Sequence, residues 1–258
     1  MSIQERGGLR RLLKLDVKHQ VATLLLDRPP VNAVDNAFLD DFDQMLAEIK
    51  ELNPALVVVR GAGRHFSAGG DIKAMVSALE TNDFTSLDGF ARRIQNAYFA
   101  WEQLPMPTLA VLTGAVTGGG LEFALACDLR LAATTARIGF PEVRIGLLPA
   151  GGGTQRLTRL VGRGRSLRLI LTGELIDGAE AHSMGIVEWC AHEKDLDSRL
   201  AEVTKMLLEV AGPAQPAIKR CINRYGTGDG YAGELFEQKA LHVSKEAHER
   251  LRAFVSER

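Results

Sequence analysis

The chain has 258 residues, 46% of them hydrophobic and 24% charged, with a formal net charge of −1. That length and apolar content suffice to bury a sizeable core in one or two domains, and the near-neutral charge provides no global field to recruit nucleic acid or an anionic membrane. Cys127, Cys190 and Cys221 stand far apart without a Cys-x-x-Cys pair, which argues against disulfides and zinc and fits a reducing compartment.

A first strand is expected from around Leu12, which leaves little room for a transit peptide, and the N-terminus lacks a hydrophobic signal core. With no apolar run approaching the ~20 residues of a membrane span, a cytoplasmic location is expected. Val21 to Leu26 reads as a strand, and Phe38, Leu39, Phe42, Met45, Leu46 and Ile49 recur at helical spacing before the strand at Leu56. Small residues then carry Phe66-Ser67-Ala68-Gly69-Gly70-Asp71-Ile72-Lys73 from strand to helix. Ile94, Ala97, Tyr98 and Trp101 repeat the helical spacing ahead of the strand Pro107 to Leu112. The order predicts an α/β fold, a strand-rich spiral with helices between its turns, uninterrupted by any Gly/Ser linker or exact repeat. From about Leu196 the pattern is helical throughout and ends in a stretch from Leu235 to Phe254. The division expected is therefore a core over 1–195 and a helical region over 196–258.

Three segments carry chemistry. Gly118-Gly119-Gly120-Leu121-Glu122 is expected to turn the Pro107–Leu112 strand into a helix that carries the apolar run Phe123 to Ala126, so backbone N–H groups and the helix dipole face a ligand beside a carboxylate. Glu142 follows Pro141 in Ile138-Gly139-Phe140-Pro141-Glu142, where the proline removes a donor and stiffens the chain into a loop that holds the acid in one place. Taken singly, a glycine triplet makes a tight turn and a loop acid is usually solvated. The Phe66–Lys73 segment changes this, because it offers a second set of N–H groups. Two amides converging on one carbonyl oxygen make an oxyanion hole and leave the glutamates for proton transfer.

With these segments the chain resembles the enoyl-CoA hydratase/isomerase family, the crotonase superfamily, over nearly its whole length. Residue by residue, the resemblance assigns the oxyanion donors to Gly70 and Gly119 and the acid/base pair to Glu122 and Glu142. It places the acyl-CoA along Asn32, Ala33 and Val34 of the Arg28–Val34 loop and along Ala68, Gly69, Asp71, Ile72 and Lys73. Gly152-Gly153-Thr154-Gln155-Arg156-Leu157 matches a further family run, and Phe254 matches the C-terminal segment that covers CoA in a neighbouring subunit. The implied fold is a crotonase-like spiral of ββα units with a C-terminal α-helical oligomerisation region, assembled as a homotrimer or a hexameric dimer of trimers. No separate cofactor is implied, since coenzyme A belongs to the substrate.

Some positions depart from the family. Ala150 stands where glycine is frequent, and its amide survives. Phe140 replaces a frequent glutamine, and a more apolar surround raises the pKa of Glu142. Glu257 occupies a usually basic position, followed by Arg258, which puts a cross-subunit phosphate contact in question. The implied activity is hydration of a 2-enoyl-CoA to the 3-hydroxyacyl-CoA. A double-bond isomerase of the same fold usually lacks the second carboxylate, so retention of both favours the hydratase. Hydrolysis or C–C cleavage on the same oxyanion hole is a weaker alternative, and an RNA-binding role is weaker still at this net charge. His65 reads as a solvated loop residue, and His182 and His192 lack a second ligand at metal spacing. Arg156, Arg159, Arg163, Arg165 and Arg168 read as a solvated or intersubunit face. Gly61-x-Gly63 fails as a dinucleotide fingerprint because Phe66 stands at the third glycine position.

Overall fold

The computed structural model describes residues 11–210 and 212–256, so Glu257 and Arg258 lie outside the described residues. The elements, in order, are β1 (Leu13–Lys18), β2 (Val21–Leu26), α1 (Asn36–Leu52), β3 (Leu56–Gly61), α2 (Ile72–Glu80), α3 (Phe84–Glu102), β4 (Thr108–Leu112), β5 (Ala115–Thr117), α4 (Gly119–Ala126), β6 (Leu129–Ala133) and β7 (Arg137–Gly139). After a 3-10 turn over Pro141–Ile145 come α5 (Gly153–Thr172), β8 (Leu175–Asp177), α6 (Gly178–Met184), β9 (Trp189–Ala191), α7 (Leu196–Glu209), α8 (Ala214–Asn223), α9 (Gly230–His242) and α10 (Lys245–Ser256).

A six-stranded sheet runs β1-β2-β3-β4-β6-β9, and only the β1–β2 hairpin is antiparallel. Its central strands β3 and β4 are apolar on both faces because both faces are covered. Against one face lies the main core, where Phe42, Tyr98, Trp101 and Phe123 meet ring to ring. On the opposite face Leu196 and Val203 of α7 pack against Leu56, Val58, Leu109 and Leu131. A smaller sheet, β5-β7-β8, alternates in chain order with the later strands of the large one.

The apolar stripe of α1 is buried as its spacing requires, and Asp35 caps the helix by accepting from the Phe38 N–H. Three expectations need correction. The strand that leads into the glycine triplet is β5 of the small sheet, because Gly114, at φ +54°, turns the chain out of β4. Glu142 sits in a 3-10 turn with Pro141 at its start, a place proline fits because its missing N–H is an orphan there anyway. The C-terminal stretch is two helices, parted after His242, where Ser244 starts α10 by accepting from the Ala247 N–H. Among the described residues no helix is long and apolar enough to cross a membrane.

Candidate active site

The two glutamates meet because of the small sheet. β5 and β7 are parallel neighbours with Thr117 opposite Gly139, and the Gly118 N–H donates to the Gly139 carbonyl at 3.1 Å. The chain leaves both strands at the same end, into α4 on one side and the 3-10 turn on the other, so Glu122 and Glu142 leave the sheet at one end. The carboxyl ends of parallel strands are where ligands bind in such folds. A third segment joins them, because Ser67 bridges to Val116 in parallel and Gly70 bridges to Val34. In that second bridge the hydrogen bonds run from Val34 N–H to Gly69 O and from Asp71 N–H to Val34 O. Gly70's own N–H therefore points away from Val34, toward the start of α4, and a methyl group placed on Gly119 would lie 3.6 Å from the Gly70 nitrogen. Gly119 opens α4, where a first-turn N–H has no helical acceptor. Neither of these two N–H groups donates to any acceptor among the described residues.

Glu122 is 3% exposed. Burial pushes its pKa up to about 7; the N–H groups of Gly153 and Gly151 pull it down, and the neighbouring Glu142 charge adds to the rise. The Gly153 N–H, at the first turn of α5, donates to Glu122 Oε1 at 2.8 Å. Gly151 touches the other oxygen so closely that any side chain there would overlap Glu122 Oε2. Glu142 is half-buried, and burial raises its pKa too. Its Oε2 is buried and meets no hydrogen-bond partner among the described residues. Gly118 makes room for it: at φ +53° and ψ −129° a side chain is strained, and a methyl group there would stand 2.8 Å from Glu142 Oε1. Two raised carboxyls beside two unspent N–H groups can exchange protons with a bound molecule while the amides hold an oxyanion.

Residues 16–256 match the enoyl-CoA hydratase/isomerase family. The chain belongs to that family. A probable enoyl-CoA hydratase of Mycobacterium leprae is 32% identical over 95% of both chains. One from Bacillus subtilis is 40% identical over 68% of this chain and 67% of its own. An enoyl-CoA hydratase crystal structure from Bacillus anthracis superposes with a TM-score of 0.87 at 31% identity, over 96% of this chain and 97% of that one.

The structure distributes the residues matched to the family unevenly. Gly70, Gly119, Glu122 and Glu142 come together. Asn32 is buried, its side chain spent on the carbonyls of Ala62, His65 and Phe66, so it braces the loop that leads to Gly70 from within. The carbonyl of Ala33 accepts from Arg28, and both backbone groups of Val34 are taken by the Gly69–Asp71 bridge. Ala68 O accepts from the Thr117 hydroxyl and Gly69 O from Val34, while Asp71 caps α2 and pairs with Arg28 at 2.9 Å. Ile72 and Lys73 sit exposed in the first turn of α2. Phe254 lies apart from the glutamates, in a cavity that it lines with Val210, Leu241 and Leu251.

Four residues at the site were not marked as such by sequence. Tyr98 is fully buried and its hydroxyl donates to the Gly119 carbonyl at 3.0 Å, fixing the peptide that follows the second N–H. Gln95 donates to the Ala150 carbonyl. Arg156 is paired with Glu102 and only 10% exposed in its side chain, so it is no solvated face. Tyr98 and Gln95 belong to the helical pattern of α3, which marks a face and not a partner. His65, read as solvated, accepts the Ala115 N–H on Nδ1.

Proposed function

We propose that this chain adds water across the 2,3 double bond of a 2-enoyl-CoA to give the 3-hydroxyacyl-CoA. The observation that carries this reading is the pair of carboxylates, Glu122 and Glu142, at one end of the β5–β7 pair, beside the unspent N–H groups of Gly70 and Gly119. As water adds to C3, negative charge moves onto the thioester oxygen, where the Gly70 and Gly119 N–H groups hold it; one such donor is typically worth ~10²–10³ in rate. Glu122, whose oxygen accepts an N–H that favours the ionised form, takes the proton of the water. Glu142, whose Oε2 is buried without a hydrogen-bond partner among the described residues, delivers a proton to C2. The acid and base are coupled, and their titration belongs to the pair.

Asn32 to Val34 and Ala68 to Lys73 are proposed to line the CoA path, and Phe254 to cover CoA in a neighbouring subunit. The proposed assembly is a homotrimer or a dimer of trimers. Its support is the row of exposed apolar side chains on α8 to α10, with Ile222, Tyr231, Leu235 and Phe236 all 66% or more exposed. Since α7 is spent on the large sheet, the intersubunit role within 196–258 falls to the last three helices. Light scattering is expected to give a multiple of 28.1 kDa, and a monomer mass at micromolar concentration would remove this reading. The proposed location is the cytoplasm, on the three separated cysteines.

A spectrophotometric panel of short, medium and long 2-enoyl-CoAs tests the activity. Glu122→Gln should lower hydration by ~10²–10⁴ with little change in affinity. Glu142→Gln should abolish hydration and also stop exchange of the C2 proton with solvent. An isomerase would lose 3-enoyl-CoA conversion with Glu142→Gln and keep it with Glu122→Gln. Wild-type protein that leaves the whole panel unchanged would sink the hydratase.

A further inference from the structure

The segment that holds Glu122 is itself held. Ala150 to Gly153 has no side chain larger than a methyl group, so nothing of its own fixes it. Two side chains do so from outside. Gln95 of α3 donates to the Ala150 carbonyl at 2.6 Å. Arg156, one turn into α5, folds back so that Nη1 donates to the Gly151 carbonyl at 2.9 Å. The rest of that guanidinium is engaged by Glu102, the last residue of α3, with Nε and Nη2 at 3.2 and 3.0 Å from Glu102 Oε2. Arg156 and Glu102 are 10% and 19% exposed in their side chains, so the fork is desolvated enough to be rigid. Arg159 reaches the other oxygen of Glu102 at 3.4 Å, is 58% exposed, and makes no bond to the Ala150–Gly153 segment.

We propose that Arg156, anchored by Glu102, is a positioning residue for Glu122: it fixes the Gly151–Gly152 peptide, which joins the two peptides whose N–H groups, those of Gly151 and Gly153, face the Glu122 carboxylate. The link is short, since the carbonyl Arg156 holds belongs to the residue in contact with Glu122 Oε2, and the N–H two residues on donates to Oε1. Arg156 also faces Glu122 as a positive charge that favours its ionised form. The other titratable groups that act on that carboxylate are Glu142 from the 3-10 turn and Tyr98 of α3; Glu102 meets Arg156, Cys127 at the end of α4 faces Tyr98, and Arg130 of β6 is bound to the carbonyls of Ala124 and Cys127. Among the described residues Arg156 is the cation that acts on Glu122, whereas Arg130 is committed to Glu188. Loss of Arg156 thus removes both the favourable charge on Glu122 and the tie on the peptide between its two N–H donors. The proposal rests on the hydratase reading in so far as Glu122 is the base.

The test is a pH titration of the intact protein read in two ways: infrared titration of the buried carboxyl, assigned by its disappearance in Glu122→Gln, and the pH profile of kcat/KM for crotonyl-CoA. In Arg156→Met the carboxyl midpoint and the acidic limb should move up together by about half a pH unit or more. Activity should then fall about two- to threefold near pH 6.5 and return toward wild type near pH 9, where Glu122 is ionised again. Arg156→Lys keeps the charge but cannot serve Gly151 and Glu102 at once, so its midpoint should lie between the two. Arg159→Met should leave both readouts unmoved. A loss of activity that is equal at all pH values, or an unmoved carboxyl midpoint in Arg156→Met, overturns the proposal. If Arg156→Met does not fold, Arg156→Lys decides, and a midpoint equal to wild type overturns it. Should wild-type protein show no hydration, the activity reading fails by itself, and the infrared midpoint still decides whether Arg156 orders the donors.

Discussion

α4 and α2 do the same task from opposite supports. Each follows a glycine-rich turn and presents one N–H, Gly119 or Gly70, to the same space. All eight residues of α4 are buried, whereas α2 buries none of its nine. α4 is fixed by the core around Phe123, which packs on Phe42, Tyr98 and Trp101 with ring centroids 5.1–5.3 Å apart. α2 is fixed mainly at its start, where Asp71 caps the helix, pairs with Arg28 and donates its N–H to the Val34 carbonyl, while Met75 and Ala78 are half-buried toward α3. An amide donor can therefore be placed by packing or by a polar knot, and the knot leaves one side of its helix open. Ile72, Val76 and Leu79 stand 45–52% exposed along it.

The comparison can be broken at several points. The largest effect is expected for Phe123→Ala, which leaves a cavity under α4 and should cost about 3–5 kcal/mol of stability, read as a lowered midpoint in chemical denaturation. A midpoint close to wild type would mean that packing does not fix α4. Gly70→Pro removes the donor on the α2 side, and kcat should fall ~10²–10³ with a much smaller change in CoA affinity. A circular dichroism melt separates this from unfolding of the turn, and a folded variant with wild-type turnover would exclude Gly70 as a donor.

The third prediction concerns the cost of keeping Glu122 on the packed side. Its folded pKa of about 7 lies above the ordinary 4.5, so the folded state binds more protons than the unfolded one between those values. Stability from this group is full below pH 4.5 and is lost as pH rises through 7, a penalty on the order of 3 kcal/mol at alkaline pH. Glu122→Gln should therefore melt higher than wild type near pH 8, with the gap closing as pH falls toward 4.5. A gap independent of pH would show that Glu122 titrates at an ordinary pKa. The smallest effect is expected for Val76→Ser on α2, within about 0.5 kcal/mol of wild type, as for surface positions generally. A loss like that of Phe123→Ala would place α2 in the core after all.

Local signals were legible in the chain itself. The spacing from Phe38 to Ile49 and from Ile94 to Trp101 specifies one buried face of a helix, and the apolar runs at Leu56 and Leu109 specify strands covered on both sides. The glycines at 69, 70 and 118–120, with Glu122 and Glu142, marked the candidate site because close backbone approach demands residues without side chains. β5, β7 and β8 were not legible, since three residues are too few to show alternation. The break after His242 and the 3-10 turn at Glu142 likewise depend on neighbours, not on period.

What the sequence by itself determined is thus the inventory: which stretches become helix or strand, which glycines admit a ligand, and which acids stand beside them. These follow from nearest-neighbour sterics and from the periodicity of burial, both of which are local. Only the tertiary structure decided that Glu122 and Glu142 leave one end of a strand pair, that Gly70 faces Gly119, and that Arg156 turns inward to Gly151 and Glu102. Apart from the Arg156–Gly151 bond, those relations join residues twenty or more positions apart through strand register and the packing of α3 against its neighbours. A pairing of that kind leaves no period in the chain, because the partner that satisfies a charge or a carbonyl is chosen by the fold.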